Sequence, residues 1–322
     1  MKRHVTATEQ NHGRADKLLA ATCPEYSRAA LVKLFELNLI KRGGRALKPG
    51  DKIRAGETME YDLGPLQAKP EVIDLPVMYE DANVIVVNKP TGIISHARGR
   101  FWQEASVASF IRDKVIRAQK DPAKPAAPQA SNIKPQTSPP DRAGIVHRLD
   151  RATSGVMICA RNESALKFLQ KQFHDRKVEK TYVAVISGAP EHEEAIIDAP
   201  IGRNLKTPKM FRVTADGKPA QTRYRVTNQT KEFTTLELRP KTGRTHQLRV
   251  HLKHIGLPIV GDELYGGKKA GRLMLHAHEL TITLPDGTQK TFTAPLPDEF
   301  RTHPEIIWGL QNNDFSSENY ET

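Results

Sequence analysis

The residues best suited to chemistry are concentrated in the segment 142–155, which reads RAGIVHRLDRATSG. Within it, Asp150 stands between Arg148 and Arg151, on what we expect to be a loop between strands. Nearby positive charge favours the anionic form of a carboxylate, so Asp150 could act as a nucleophile or as a base. An aspartate in such a loop is more often a cap or a surface ion-pair partner. These residues alone leave its role open.

Alternating strands and amphipathic helices surround this segment and must position it. We predict strands over 77–79, 83–88, 145–147, 156–160, 181–186, 221–226 and 235–239, helices over 104–117, 163–174 and 244–255, and a hairpin over 273–293 that turns at 285–287. Many antiparallel strands with interspersed helices indicate an α+β domain, which we expect to span 75–300. Residues 118–141 hold six of the 22 prolines, and we expect a mobile insertion there.

A smaller unit is predicted at the N-terminus, over residues 1–62, with a linker over 63–74 and a polar tail over 301–322. Its pattern is a helix over 14–22, a second helix that begins after the N-cap Ser27, and short strands. The strands are separated by turns at 43–44 and 49–51, and the last strand covers 59–63. We therefore expect two domains of unequal size.

Charge is concentrated in the N-terminal part. The chain carries a net charge of +12, and residues 1–54 hold 12 Lys/Arg against 5 acids, so this stretch alone contributes +7. Such a surface is either simply solvated or binds a polyanion such as a nucleic acid, and charge does not decide between them. No apolar run reaches the roughly 18 residues of a membrane span. The polar start predicts no secretory signal, and we expect a cytoplasmic protein without membrane contact.

The N-terminal pattern resembles the alpha-L RNA-binding domain, typified by the fourth small-subunit ribosomal protein. The match rests on the segments RADKLL at 14–19, YSR at 26–28 and KPGD at 48–51. In that family the second helix and the following loop lie against RNA phosphates. The resemblance therefore implies that RNA is bound by the basic residues of these elements, which are Arg28, Lys33, Lys41, Arg42 and Arg45.

The larger part resembles the RluA-type RNA pseudouridine synthases. The segment HRLD at 147–150, followed by TSG at 153–155, matches the signature of that family, and six further motifs match in order. These are NKPTG at 88–92, KTY at 180–182, GKPA at 217–220, TGRTHQLRVH at 242–251, PIVGD at 258–262 and LMLHA at 273–277. The resemblance covers roughly residues 14–297 and implies a catalytic domain with a mixed, mainly antiparallel sheet.

The resemblance also implies the reaction, which converts uridine in RNA to pseudouridine without a cofactor. Asp150 matches the catalytic aspartate, which could attack the anomeric carbon of the sugar or remove a proton from the sugar. Tyr182 matches the tyrosine that stacks on the target base and helps remove the proton from carbon 5. Arg249 matches the arginine that pairs with the aspartate, although the residues alone do not favour it over Arg244, which we also expect to contact RNA.

Two further roles follow from the same resemblance. Arg148 matches the arginine that fills the space left when the target nucleotide leaves the stack, and such extrusion costs a few kcal/mol of stacking. Met274 and Leu275 match the apolar floor beneath the base. The N-terminal domain favours ribosomal RNA of the large subunit as the substrate, and we expect a monomer.

The same residues also bear on three other interpretations of the chain: a kinase, an inactive RNA-binding protein and a zinc-binding protein. HRLD faintly resembles the kinase catalytic loop, but the other kinase motifs are missing. An inactive RNA-binding or ribosome-assembly protein of the same fold remains the alternative. Zinc binding is not expected from the histidines, because His246 and His251 lie on different faces of a helix and no Glu or Cys completes a known spacing. Cys23 and Cys159 form no ligand spacing either and are expected to be reduced thiols.

Overall fold

The computed structural model describes residues 2–68, 73–96, 104–120 and 144–302. The chain divides into two compact units, and the boundary falls between residues 72 and 73, within the predicted linker. Among the described residues, the first unit comprises 2–68 with 104–105, and the second comprises the remainder. Most of the proline-rich segment and the C-terminal tail beyond residue 302 lie outside the described residues, so the expectations for them stay predictions.

The first unit combines two helices with short antiparallel strands. Its strands are β1 (Lys2–Thr6), β2 (Gly13–Arg14), β3 (Ile40–Arg42), β4 (Arg45–Ala46), β5 (Lys52–Ile53) and β6 (Thr58–Asp62), and its helices are α1 (Ala15–Thr22), α2 (Arg28–Glu36) and α3 (Gly64–Gln67). One sheet has the order β1-β6-β3-β4, and β2 pairs with β5. The hydroxyl of Ser27 accepts a hydrogen bond from the backbone amide of Ala30, which confirms it as the N-cap of α2. Apolar faces of α1 and α2 pack with this sheet in a core of their own.

The second unit contains the elements that position the loop around Asp150, the predicted catalytic residue. Its strands are β7 (Val77–Glu80), β8 (Val84–Lys89), β9 (Ser154–Ala160), β10 (Glu179–Ser187), β11 (Glu194–Asp198), β12 (Ile201–Arg203), β13 (Phe211–Val213), β14 (Gln221–Gln229), β15 (Phe233–Pro240), β16 (Leu275–Thr283) and β17 (Gln289–Thr293). Its helices are α4 (Val107–Lys120), α5 (Glu163–His174), α6 (Gln247–His254) and α7 (Glu299–Thr302), and a 3-10 turn covers Glu263–Tyr265.

A nine-stranded sheet forms the centre of the described part of this unit. Its order is β11-β14-β15-β10-β16-β9-β8-β7, and β17 also pairs with β16. All neighbouring strands are antiparallel except β16 and β9, where His276 and Ala277 pair in parallel with Ser154 and Gly155. The predicted α+β class with a mixed, mainly antiparallel sheet is thereby confirmed. Two buried apolar clusters flank this sheet, one around β8 and β9 and one around β10, β15 and α6.

Three predicted elements differ from the structure near the catalytic segment. No strand forms over 145–147, where only an isolated bridge joins Ile145 to Cys159, because the chain turns into the catalytic loop. Helix α6 begins at Gln247, three residues later than predicted, because His246 takes a left-handed backbone conformation. Helix α4 extends to Lys120, into the predicted insertion. No helix among the described residues is long and apolar enough to span a membrane.

Candidate active site

A cavity of about 560 Å³ opens in the second unit, and three segments of chain supply most of its lining. The catalytic loop supplies residues 146–150, the start of β10 supplies Lys180 and Tyr182, and the segment 240–249 closes the opposite side. Asp150, Tyr182, Arg249, Arg148, Arg244 and Leu275 all line this cavity. Residues from four separate stretches of the sequence therefore meet around one space, large enough for a nucleoside.

The loop that carries Asp150 is held in place by the segment 89–95, which overlaps the NKPTG motif at 88–92. The hydroxyl of Ser95 donates to the carbonyl of Leu149 (2.7 Å) and accepts from its amide (3.0 Å). The hydroxyl of Thr91 donates to the carbonyl of Ala152 at 2.9 Å. These bonds fix the backbone on both sides of Asp150, so the carboxylate is presented by a rigid loop.

Lys89 strengthens the same attachment from inside the fold. Its side chain is fully buried, and its ammonium group donates to the carbonyls of Pro90 (2.8 Å), Ile93 (2.9 Å) and Arg151 (3.4 Å). Burial lowers the pKa of Lys89 to about 7, while the charge of Asp150 acts in the opposite direction. A buried lysine that satisfies three carbonyls orders both loops at once.

The backbone at Gly155, the last residue of the TSG motif, accepts only glycine. Its φ of +119° is in the region that favours glycine, and a Cβ there would lie 2.1 Å from the carbonyl oxygen of Ala277. The parallel pairing of β9 with β16 therefore requires glycine at this position. The hydroxyl of Ser154, next to it, lies 2.8 Å from Nδ1 of the buried His276, which ties the loop to β16.

Residues of the TGRTHQLRVH motif divide between fixing the fold and facing the cavity. The amide of Gln247 accepts from Thr242 (2.7 Å) and from the backbone of Arg244 (3.0 Å), and it donates to the carbonyl of Gln221 (2.9 Å). His251 bonds the hydroxyl of Thr222 and the carbonyl of Ala199. These contacts attach the start of α6 to β14, which leaves His246 and Arg249 on the other side of the helix, toward Asp150.

Arg249 lies between two carboxylates. Its Nε and Nη2 each donate to an oxygen of Asp262 at 2.7 Å, in a bidentate pair whose side chains are 9% and 1% exposed. Its Nη1 lies 3.7 Å from Oδ2 of Asp150. Burial opposes the charge of the guanidinium, but the bonds to Asp262 raise the pKa of Arg249 above its ordinary value. Arg249 therefore stays a cation beside Asp150.

The structure shows which of Arg244 and Arg249 lies near Asp150, a choice that the sequence alone did not decide. Arg244 turns to the rim, where its Nε donates to the carbonyl of Pro219 at 3.0 Å and joins the GKPA segment to the motif. Arg249 is the one whose guanidinium approaches Asp150. Arg148 is exposed at the mouth of the cavity, so its side chain is accessible to a nucleic acid.

The apolar side of the cavity is formed by Tyr182 and Leu275. Burial, and after it the charge of Asp150, raises the pKa of the Tyr182 phenol, so the ring is neutral. Leu275 lines the cavity, whereas Met274 is buried in the core and does not. Adjacent residues of an extended chain point to opposite sides, which accounts for the different positions of the two predicted floor residues.

The side chain of His246, like that of Arg249, lies near Asp150. Its Nε2 lies 3.8 Å from Oδ2 of Asp150, and its Nδ1 lies 2.8 Å from the hydroxyl of Tyr265. Its φ of +56° is left-handed, which costs a residue with a side chain about 1–2 kcal/mol. Burial lowers the pKa of the imidazole, against the opposing effect of Asp150.

The basic residues predicted to bind RNA in the first unit differ in how they are paired. Arg28 bonds Asp16 through Nη2 at 2.5 Å, and Arg42 bonds Glu57 at 2.7 Å. Lys33 and Arg45 are exposed, and Lys41 is half-buried. The side chains of Lys41 and Arg45 form no ion pair with a described residue. Arg28 and Arg42 are thus already held in ion pairs within the protein.

Sequence reasoning missed Asp262, Lys89 and Tyr265. Asp262 and Lys89 stood inside quoted motifs without a role, and their burial was the missing information. A signal was available for both, since a charged residue within an apolar stretch must have a partner when it is buried. Tyr265 follows the PIVGD motif and had no such signal. No group of three or more His, Cys, Asp or Glu in the described ranges could hold a metal ion.

Comparisons with known proteins agree with this geometry. Residues 83–254 match the family described as RNA pseudouridylate synthase. The chain is 39% identical over 320 residues to ribosomal large subunit pseudouridine synthase D of Borreliella burgdorferi, covering 93% of this chain and 91% of that protein. It is 35% identical over 318 residues to an uncharacterized RNA pseudouridine synthase, YlyB, of Bacillus subtilis, covering 96% of this chain and 98% of that one.

Among solved structures, human RNA Pseudouridylate Synthase Domain Containing 1 is similar. The TM-score is 0.53 at 25% sequence identity, with 72% of this chain and 87% of the human chain covered. A family match over more than half of the chain, together with relatives that align along nearly all of it, settles the assignment. The chain belongs to the RNA pseudouridine synthase family, and the enzyme class predicted from its motifs is confirmed.

Proposed function

We propose that this enzyme isomerises uridines of large-subunit ribosomal RNA to pseudouridine, with Asp150 as the catalytic carboxylate. The observation that carries the proposal is the position of Asp150 on a rigid loop inside the cavity, 3.7 Å from the guanidinium of Arg249. Support for ribosomal RNA comes from several relatives whose names specify the large ribosomal subunit.

The reaction requires a carboxylate in anionic form beside the sugar. Asp150 either attacks carbon 1 of the ribose or removes the proton from carbon 2, and either route lets the uracil leave with the electrons of the glycosidic bond. The uracil then rotates and its carbon 5 bonds to carbon 1 of the sugar. On the first route the bond between Asp150 and carbon 1 breaks in this step, and on the second route Asp150 returns the proton to carbon 2. The proton on carbon 5 then passes to solvent. The guanidinium of Arg249, held by Asp262, places a positive charge beside the carboxylate of Asp150.

The remaining cavity residues suit the handling of an extruded base. Tyr182 offers a neutral aromatic face, and Leu275 offers an apolar surface beneath it. Arg148, exposed at the mouth, could occupy the gap left in the RNA stack. Extrusion costs a few kcal/mol of stacking, and contacts of this type repay it.

Residues 1–62 form, in this proposal, an RNA-binding domain of the alpha-L kind. Its support is the basic surface of α2 and the β3–β4 hairpin, where Lys41 and Arg45 have no ion-pair partner among the described residues. Arg28 and Arg42 share their charge with Asp16 and Glu57, so we assign them a smaller part in phosphate binding. The enzyme is proposed to act as a cytoplasmic monomer without a cofactor.

Mapping pseudouridine across total cellular RNA, with and without this gene, tests the proposal. Specific large-subunit sites should lose the modification when the gene is deleted and regain it on complementation with the wild-type chain. Complementation with Asp150→Asn should fail although the protein accumulates normally. Unchanged large-subunit RNA would contradict the substrate assignment, and restored sites in the Asp150→Asn strain would contradict the role of the carboxylate.

A further inference from the structure

The imidazole of His246 lies beside the carboxylate of Asp150 in the wall of the cavity. Its Nε2 lies 3.8 Å from Oδ2 of Asp150, the same oxygen that Nη1 of Arg249 approaches at 3.7 Å. The side chain of His246 is only 17% exposed. Two nitrogen groups from the start of α6 thus converge on one oxygen of Asp150.

The phenol of Tyr265 is the hydrogen-bond partner of one nitrogen of His246. The phenol oxygen of Tyr265 accepts a hydrogen bond from the backbone amide of Phe211 at 3.0 Å, and it lies 2.8 Å from Nδ1 of His246. Its single hydrogen is therefore available for donation to Nδ1. A neutral imidazole that accepts at Nδ1 carries its proton on Nε2, which is the nitrogen that faces Asp150.

The surroundings of His246 favour this neutral form. The charged groups that act on it are Asp150 and Asp262 on one hand and Arg249 and Arg148 on the other. Their effects oppose each other, and burial, the largest influence, lowers the pKa of His246. Ring edges of Phe211 and Tyr265 pack against the imidazole, with centroids 5.7 Å away in each case, so its orientation is fixed.

The backbone at this position does not by itself call for histidine. A left-handed φ of +56° suits glycine or asparagine better than a bulky side chain. A strained residue at a cavity wall indicates that its side chain is needed there. The strain, the aromatic packing and the bond to Tyr265 are independent observations that point to the same imidazole.

We propose that His246 is a positioning residue for the isomerisation, held by Tyr265 so that its Nε2–H donates to Oδ2 of Asp150 when the substrate is bound. Catalytic hydrogen bonds are often long in a free enzyme and shorten in the complex, which accounts for the 3.8 Å separation. His246 and Arg249 together fix the rotation of the carboxylate relative to the sugar. The proposal rests on the assignment of Asp150 given above.

Three substitutions separate this role from a structural one. His246→Gln keeps an amide that can reach the position of Nε2, whereas the shorter His246→Asn keeps only a group near Nδ1. His246→Gly relieves the backbone strain and removes the imidazole. His254→Asn, on the exposed end of the same helix, is the matched control.

The measurement is steady-state tritium release from a 5-tritiated RNA substrate, with RNA affinity and thermal unfolding recorded for each variant. Loss of one preorganised donor lowers a rate by about 100-fold. We expect His246→Asn and His246→Gly to lose about that much in kcat with KM within about twofold. His246→Gln should recover at least about tenfold over Asn, and His254→Asn should match the wild type.

Two results would overturn the proposal. One is a kcat for folded His246→Gly or His246→Asn within about threefold of the wild type, and the other is equal activity of the Gln and Asn variants. Asp150→Asn, measured in parallel, keeps the two assignments distinct. If Asp150→Asn is inactive while the His246 variants are active, only the positioning role fails. If Asp150→Asn is active, the assignment of Asp150 itself fails.

Discussion

Each unit of this enzyme buries one aspartate and pairs it with arginine, and the two pairs are built differently. In the first unit, Asp16 is 3% exposed and bonds Arg14 and Arg28, whose side chains are 48% and 52% exposed. In the second, Asp262 and its partner Arg249 are both buried, at 1% and 9%. In the first arrangement the cations that hold the acid are about half exposed to solvent, whereas in the second both the acid and the cation are buried.

The difference shows how the same chemistry serves two purposes. Arginines that remain half in water can be rehydrated if their partner is lost, and they present charge at a surface that we propose to bind RNA. A buried arginine cannot be rehydrated in this way. The carboxylate of Asp150 lies near the nitrogen of Arg249 that Asp262 does not bind, where an exposed arginine would contact water. The pair in the catalytic unit thus supports both folding and the charge of the active site.

The largest expected effect comes from Asp262→Asn. It leaves Arg249 as a buried cation with half of its partners removed, which should lower the free energy of unfolding by about 3–5 kcal/mol. Single-turnover isomerisation should fall as well, because Arg249 is no longer fixed beside Asp150. Chemical denaturation and tritium release measure the two effects. A variant of wild-type stability would show that the enclosed pair does not differ from an exposed one.

The corresponding change in the first unit is Asp16→Asn, with an expected loss of about 1–3 kcal/mol at neutral pH. Hydrogen bonds from Arg14, and then Arg28, lower the pKa of Asp16 to about 2. Because the folded pKa lies below the ordinary 3.8, this stability is complete above pH 4 and is lost as the pH falls toward 2.

Denaturation of the wild type and Asp16→Asn at several acidic pH values tests this expectation. The two proteins should differ most near neutral pH and should converge as the pH approaches 2. A constant difference across that range would mean that the carboxylate of Asp16 does not titrate as the pair requires.

A smaller effect distinguishes the paired from the unpaired arginines of the first unit. Arg45→Ala should weaken RNA affinity and reduce the magnitude of the salt slope by about 0.7, the value for one phosphate contact to single-stranded RNA. Arg28→Ala, its matched comparison, should mainly lower stability because Arg28 is held by Asp16. Affinity titrations at several salt concentrations decide this. Identical slopes for the wild type and Arg45→Ala would remove Arg45 from the proposed interface.

The smallest effect is expected from residues 121–141. Their proline-rich composition cannot bury much apolar area, so replacement by a short Gly/Ser linker should change the unfolding free energy by less than about 1 kcal/mol. The replacement begins after Lys120, so that α4 stays intact. Loss of a cooperative thermal transition in this variant would show that the segment is structural.

Much of this architecture could be predicted because local patterns and tertiary structure agree. Helix α5 was predicted with its observed bounds, since its apolar spacing and its N-cap Asn162 act locally. Strand β1 was missed because its residues are mostly exposed at the edge of a sheet and carry no apolar alternation. Helix α6 was predicted to begin too early because the left-handed conformation of His246 depends on the cavity around it.

The site shows the same limit. The motifs identified the segments, but they did not indicate that Asp262, and not Asp150, is the closer partner of Arg249. Nor did they separate Met274 from Leu275, whose difference depends on the register of the strand at the cavity. Spacing along the chain predicts which residues share a motif, whereas burial decides which of their atoms face the substrate.

The most direct test of the central claim is tritium release from uridine-5-labelled RNA by Asp150→Asn, measured beside a binding titration. The substitution is nearly isosteric and removes both the charge and the basicity of the carboxylate, while the phosphate contacts remain. We predict a loss of several orders of magnitude in rate with RNA affinity within about threefold of the wild type. Release of label by Asp150→Asn at a rate near that of the wild type would contradict the assignment of Asp150 as the catalytic residue.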